Sequence, residues 1–296
     1  MKIGFLTNRI VECGLTDLTD IANWSIANGF QDLEVGPTIQ MDDKKFSNVI
    51  HETGINISAL TYCRNYLSVD SGEAQHHRDQ LIKRLEFAGD NGVEKIVTST
   101  GILKQSNTDK YDGYEAIRQL PISSLEAVVA FFEPIVRLAE KKKVKIAVEN
   151  CPLMGNISIS PVMWRELFKR IDSDYFGLTY DPSHLVWQFI DPYKYISEFG
   201  NKIFHVHAKD TIIYEEKLKE SGFLTDFNWW EYSLPGTGMI DWVKLFTELK
   251  KINYQGTISI EHEDNQRSNS IEDVKAGLIQ GREFIQQTIA SIEGGK

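Results

Sequence analysis

Eight times along the chain a short apolar, β-branched run gives way to a longer stretch with helical spacing, and few folds accept that alternation. The runs are KIGFLT (2–7), DLEVG (32–36), NISALTY (56–62), EKIVTS (94–99), VKIAVEN (144–150), FGLTYD (176–181), IFHVHA (203–208) and TISIEH (257–262). Between them lie amphipathic segments such as DLTDIANWSIANG, EAQHHRDQLIKRLEFAGDNG and SLEAVVAFFEPIVRLAEKKK. In the second of these, Leu81, Leu85 and Ala88 recur at spacings of four and three, which predicts one buried helical stripe. "ANGF", "ETGI" and "DNGV" precede strands, and a glycine there suits the left-handed residue that ends a helix. Eight repeats in 296 residues leave roughly 37 residues each, the size of a βα unit in an eight-fold barrel. A doubly wound sheet would carry a glycine-rich phosphate loop after its first strand, where TNRIVECG stands instead. The expected fold is a single (β/α)8 TIM barrel over residues 1–296.

Two connections exceed what a barrel needs: residues 101–120 after the fourth strand and residues 211–240 after the seventh. Both would leave the C-terminal face, where barrel enzymes build their sites. The second contains "NWWEY" and "LPGTG", a composition suited to a lid or a pocket wall.

That face also collects polar residues. The fifth strand ends in Glu149, the sixth in Asp181, the seventh in His207 and the eighth in Glu261, each after an apolar run. Three carboxylates and an imidazole make an oxygen-rich donor set that suits one divalent cation, Mn²⁺ or Mg²⁺ first, with Co²⁺ or Zn²⁺ also admitted. Without a cation the carboxylates would repel and raise one another's pKa. Glu263 shares the parity of Glu261 and could replace it; His205 lies two residues before His207 and points the same way, deeper in the barrel. A core or supporting role is expected for His205, and for Asp210 either a loop cap or the orientation of a ligand. Cys151, two residues after Glu149, has no local base and reads as a structural thiol.

Composition removes several classes. A net charge of -10 disfavours nucleic acid and anionic membranes as partners. Cys13, Cys63 and Cys151 form no CxxC pair, the N-terminus lacks a signal-peptide pattern, and no apolar run reaches the roughly 18 residues of a membrane span. A cytoplasmic protein is expected.

"VEN" (148–150), "YDPSH" (180–184), "HVHAKD" (205–210) and "SIEHED" (259–264), in this order along nearly the whole chain, resemble the xylose isomerase-like TIM-barrel superfamily of sugar phosphate isomerases and epimerases. The resemblance implies that Glu149, Asp181, His207 and Glu261 hold one catalytic metal, manganese foremost, and that His184 contacts a carbohydrate substrate. It implies an isomerase or epimerase in which Glu149 and Glu261 also move a proton through an enediolate. The ketose 3-epimerases of the superfamily carry a glutamate six residues after the first ligand and an arginine six after the histidine ligand; Gly155 and Ile213 stand there, so a plain ketose 3-epimerase is not expected. The loop with Trp229, Trp230 and Tyr232 resembles members acting on 3-keto-glycosides or inososes, or serving as C-deglycosidase α subunits. A dehydratase or lyase outcome therefore stays open. Trp230 is a candidate platform for a sugar ring, Lys209 the nearby cation, and Glu34, Arg64 and Asn65 weaker candidates for substrate hydroxyls. Two remote readings are an endonuclease IV-like nuclease, which would need histidines where "TYCRN" and "VTSTG" stand, and a non-catalytic sugar-binding barrel. Relatives are often dimers or tetramers, and a homo-oligomer is open.

Overall fold

Branched apolar strands, each followed by an amphipathic helix, can cover both faces of a parallel sheet only if helices lie outside it and side chains fill the inside. The computed structural model, which describes residues 1–103, 121–153 and 155–294 and of Leu224 the backbone alone, has that arrangement. Its strands in chain order are β1 (Lys2–Leu6), β2 (Asp32–Val35), β3 (Asn56–Tyr62), β4 (Lys95–Thr98), β5 (Lys145–Glu149), β6 (Phe176–Tyr180), β7 (Ile203–Ala208), β8 (Asp210–Ile213), β9 (Trp230–Ser233) and β10 (Thr257–Ile260). Eight of them close a parallel barrel in the order β1-β10-β7-β6-β5-β4-β3-β2, so the expected (β/α)8 fold is present with β10 as its eighth strand. Helices start where aspartates accept first-turn N–H groups, as Asp17, Asp42, Asp70 and Asp241 do. They stop at the expected glycines: Gly29, Gly54 and Gly92 all have positive φ. No described helix is long and apolar enough to cross a membrane.

The barrel interior changes character along its axis. Near the N-terminal end, Ala59, Val97, Ala147 and Phe204 form an apolar plug. Beside it, buried Asp32 of β2 accepts from Asn56 Nδ2 of β3 at 2.8 Å and from the Thr257 hydroxyl of β10, tying three strands together. Towards the C-terminal end the interior becomes polar, with Glu34, Thr61, His205, His207 and Ser259 all buried. Buried polar groups in a barrel must satisfy one another, so this layer is a constructed feature rather than filler.

The connection after β7 is more regular than a lid loop. β8 and β9 pair as an antiparallel ribbon, with Thr211 opposite Tyr232 and Ile213 opposite Trp230, and the helix Glu215–Thr225 joins them. β8 follows β7 after Lys209 alone, and β9, WEYS, holds no β-branched residue and runs into LPG, which is why residues 211–240 read as loop in the sequence. The other long connection falls, from residue 104 to 120, outside the described residues.

Asp210 anchors this ribbon. Its Oδ1 accepts from the N–H groups of Thr211 (2.9 Å) and Ile240 (3.0 Å), and its Oδ2 from Gly236 N–H (3.0 Å) and the Trp242 indole (2.8 Å). Both oxygens thus accept hydrogen bonds from the loop and from the Trp242 indole, the contacts of a loop cap. Asp210→Ala would strand four donors and is expected to cost about 3 kcal/mol or more, read as a lowered urea midpoint and faster proteolysis between residues 211 and 240.

Candidate active site

Strand ends place the donors. Glu149 is the last residue of β5, Asp181 follows β6, His207 lies on β7 and Glu261 follows β10. One donor atom from each lies within 4.8 Å of the others, although they are separated by up to 112 residues (149 to 261) in the chain. Local structure fixes each one. Asn150 clasps the next strand, accepting from Asp181 N–H at 2.7 Å and donating to Asp181 C=O at 2.8 Å. The Asp181 carboxylate caps the short helix Pro182–Val186, its Oδ1 accepting from Ser183 N–H (2.8 Å) and Oγ (2.6 Å).

Glu34 orients His207. His207 Nε2 lies 3.1 Å from both Glu34 oxygens, and the same carboxylate accepts from Ser259 Oγ (2.6 Å) and from the Thr61 hydroxyl. His205 Nε2 meets Glu34 Oε2 at 2.8 Å. Glu34, His205 and His207 also cluster closely enough to bind an ion, but this carboxylate is already saturated with donors. Burial alone would raise the Glu34 carboxyl; His207 and His205 outweigh it and hold it well below the usual range. Glu34, expected to meet substrate, does not line the cavity: its side chain lies under the site, buried, fixing the imidazole that faces it. His205 supports Glu34 in turn, one step further from the donor set.

The remaining face of His207 points at the carboxylates. Nδ1 is 3.4 Å from Glu149 Oε1 and 3.3 Å from Glu261 Oε2, yet it makes no hydrogen bond. Asp181 Oδ2 is likewise buried without one. The imidazole nitrogen without a hydrogen bond here faces Glu149 and Glu261. The buried Asp181 oxygen is met by ion pairs, with Lys209 Nζ at 3.2 Å and His184 Nε2 at 3.4 Å. A divalent ion would satisfy both, and the donor set fits such a group.

A lysine shares the space. Buried Lys209 donates through Nζ to Glu261 Oε2 (2.6 Å) and Glu263 Oε2 (2.9 Å), lies 3.2 Å from Asp181 Oδ2, and sits 4.3 Å from the Tyr232 ring centroid. Burial would depress its ammonium; Asp181, Glu261 and Glu263 reverse that and raise it well above the ordinary value. His184 stands beside it, with Nδ1 2.8 Å from the Tyr232 hydroxyl and Nε2 3.3 Å from Glu149 Oε1. Burial opposes its protonation, but Cys151 and Asp181 push its pKa up to about 10. Against burial, the His184 and His207 rings hold Glu149 well below the carboxylate range.

These groups open onto a cavity of about 240 Å³ whose lining includes Thr61, Cys63, Glu149, His184, Lys209 and Glu261. Of the expected substrate contacts, His184, Lys209 and Arg64 are on its wall. Asn65 is not: its Oδ1 accepts from Leu67 and Ile102 N–H groups, and its side chain packs against Gly155. Trp230 is not either; it stacks on Trp187 at 4.6 Å and lines a neighbouring cavity. Glu263 and Tyr232 carry more of the site than their sequence positions suggest. The sequence offers Tyr232 only as part of a loop, because β9 has no β-branched residue to mark it as a strand that aims the ring at His184.

His262 illustrates how closely this end is packed. Burial first, then Arg9, lower its pKa to about 4, against about 6.5 for an unfolded histidine. A depressed histidine favours folding fully above the unfolded value, and that contribution falls away as the pH drops from about 6.5 towards 4. By pH 5 it amounts to about 2 kcal/mol, so the wild type should lose that much more stability between pH 7 and 5 than His262→Gln does in urea titrations.

The sequence matches the xylose isomerase-like TIM barrel family over residues 23–288. The chain belongs to that family. Among curated relatives of this xylose isomerase-like barrel, the YfiH protein of Bacillus subtilis is 28% identical over 98% of this chain and 100% of its own length. The inosose dehydratase of Clostridium beijerinckii is 30% identical over 80% of this chain and 79% of its own. Among solved structures, a D-tagatose 3-epimerase-like protein superposes with a TM-score of 0.72 at 21% identity, covering 99% of this chain and 98% of the other. Inosose dehydratases recur among the curated relatives, and an L-ribulose 3-epimerase is among the chains of the same fold.

Proposed function

We propose that this protein is a divalent-metal-dependent isomerase or epimerase that moves a proton beside a carbonyl of a sugar, keto-glycoside or cyclitol. The observation that carries the reading is the convergence of Glu149, Asp181, Glu261 and the unbonded Nδ1 of His207 at the mouth of the barrel. Mn²⁺ suits three carboxylates and one imidazole best, with Mg²⁺, Co²⁺ or Zn²⁺ as substitutes. Bound there, such an ion would polarise the substrate carbonyl and ease charge onto the neighbouring oxygens. Glu149 and Glu261 approach from different strands and are assigned the removal and return of the proton, through an enediolate of the substrate. His184 and Lys209 bind hydroxyls on the cavity wall, and Tyr232 holds both in place.

A dehydratase outcome is the second reading, supported by the inosose dehydratase relatives and by two hydrogen-bonded donors, His184 and Lys209, near a leaving hydroxyl. The ketose 3-epimerase pattern has less support: Gly155 has positive φ, and a side chain there would meet Asn65 at 2.8 Å. An endonuclease IV-like site has little either, since among the described residues no histidine joins the donor set from the ends of β3 and β4.

Chelation provides the first test. Stripping the protein with EDTA is expected to abolish solvent deuterium incorporation into a panel of ketoses, inososes and 3-keto-glycosides, and Mn²⁺ should restore it. The same treatment should lower stability by about 2.7 kcal/mol relative to metal held at 100 times its Kd. A labelled product that keeps its oxygen count marks an epimerase or isomerase, and loss of water marks a dehydratase. A protein that never takes up a metal would end this assignment.

A further inference from the structure

Outside the catalytic cavity lies a second one of about 500 Å³, walled by the β8–β9 ribbon and the segment before β9. Its lining includes Tyr214, Phe227, Asn228, Trp230 and Asn265, and it shares Tyr232 and Glu263 with the inner cavity. The two therefore meet at the residues that position Lys209. Small-molecule sites typically enclose roughly 300–1,000 Å³; the inner cavity falls short of that range, and the pair together lies within it.

The chemistry of the outer cavity is specific. Trp230 is held rigid by stacking on Trp187 at 4.6 Å and by an edge contact with Tyr232 at 4.8 Å, and Phe227, half-buried, packs edge-on to Trp187. Rigid aromatic faces with asparagine amides beside them suit the C–H face and hydroxyls of a sugar ring. Asp226, Glu231 and Glu263 make the wall acidic, and Lys217, its one basic residue, lies 4.4 Å from the Tyr214 ring centroid, so a phosphate or carboxylate is disfavoured.

We infer that the outer cavity is a subsite for a second, neutral sugar ring, so that the substrate is a two-ring glycoside whose reacting ring occupies the inner cavity. The identity of the reacting ring rests on the function proposed above; the outer subsite itself does not. A free cyclitol or monosaccharide then fills only the inner cavity, the smaller of the two.

Binding tests this without catalysis. Titration calorimetry on the intact, Mn²⁺-supplied protein would compare glucose-based disaccharides of several linkages with the matching methyl glucosides. At least one disaccharide should bind about tenfold or more tighter than its methyl glucoside, and Phe227→Ala should bring the ratio close to one. Asn265→Trp, which fills the exposed side of the cavity without touching the ribbon core, should do the same if Phe227→Ala folds poorly. A ratio near one for every wild-type pair, or a preference that survives in both variants, overturns the subsite. Deuterium exchange on keto forms of the same sugars runs alongside: disaccharide preference without any exchange keeps the subsite and removes the proposed chemistry, whereas exchange without preference does the reverse.

Discussion

Glu149→Gln is expected to lower the rate of solvent deuterium exchange by about 10²–10⁴-fold, the usual contribution of a positioned acid–base group. The change preserves shape and leaves an amide oxygen near His184 Nε2, so the cavity wall should survive. What it removes is charge. Glu149 is held well below the usual carboxylate range, against its burial, by His184 and His207, and is ionised throughout neutral pH. An ionised carboxylate is required of a ligand and of a base alike, so metal affinity should fall too. The two roles separate by titration. Saturating Mn²⁺ should restore the metal content of Glu149→Gln without restoring exchange, whereas Asp181→Asn, if Asp181 is a ligand only, should regain part of its exchange as Mn²⁺ is raised. Full exchange by a metal-loaded Glu149→Gln protein would remove Glu149 from the proton path and leave Glu261 alone with it.

The donor set is legible in the amino-acid order because barrel geometry makes strand ends equivalent. A polar residue closing each of four apolar runs lands on one rim whatever the helices between them do. The support beneath is harder to see. Glu34 and His207 are 173 residues apart, and nothing local to DLEVG says that its glutamate points inward to an imidazole rather than up to a substrate. Barrel closure decides it, through the pairing of β1 with both β2 and β10 that brings Glu34 near Ser259. Asn65 is absent from the cavity lining for a different reason. Its amide oxygen accepts from the backbone N–H groups of Leu67, in its own turn, and of Ile102, a tertiary partner that no spacing rule supplies. Trp230 and Tyr232 stand two apart on β9, whose WEYS holds no β-branched residue to set it off from loop, and the ribbon lets one line the outer cavity and the other border both.

Lys209→Met should produce the largest stability change of any single substitution in the site, with a size that depends on metal. In the metal-free protein the ammonium is the buried countercharge for Asp181, Glu261 and Glu263, within 3.2 Å of all three. Methionine fills similar volume but strands those carboxylates, a loss of about 3–5 kcal/mol for a broken buried ion pair. At this chain length, 2–4 °C per kcal/mol puts the fall in melting temperature at roughly 10 °C. With Mn²⁺ the balance shifts. Lys209 and the ion compete for Glu261 Oε2 and Asp181 Oδ2, so removing the lysine removes a repulsive charge and frees two donor atoms. The variant should bind Mn²⁺ more tightly than wild type in calorimetry, and its melting temperature should rise more on adding the ion. Exchange should still fall, because a wall cation that meets substrate hydroxyls is gone. If instead Lys209→Met bound metal more weakly, the lysine would be holding Asp181 and Glu261 in register for the ion. The carboxylates alone would then not be a preformed site, and the rim of the barrel would owe its geometry to Lys209 as much as to the strands that carry it.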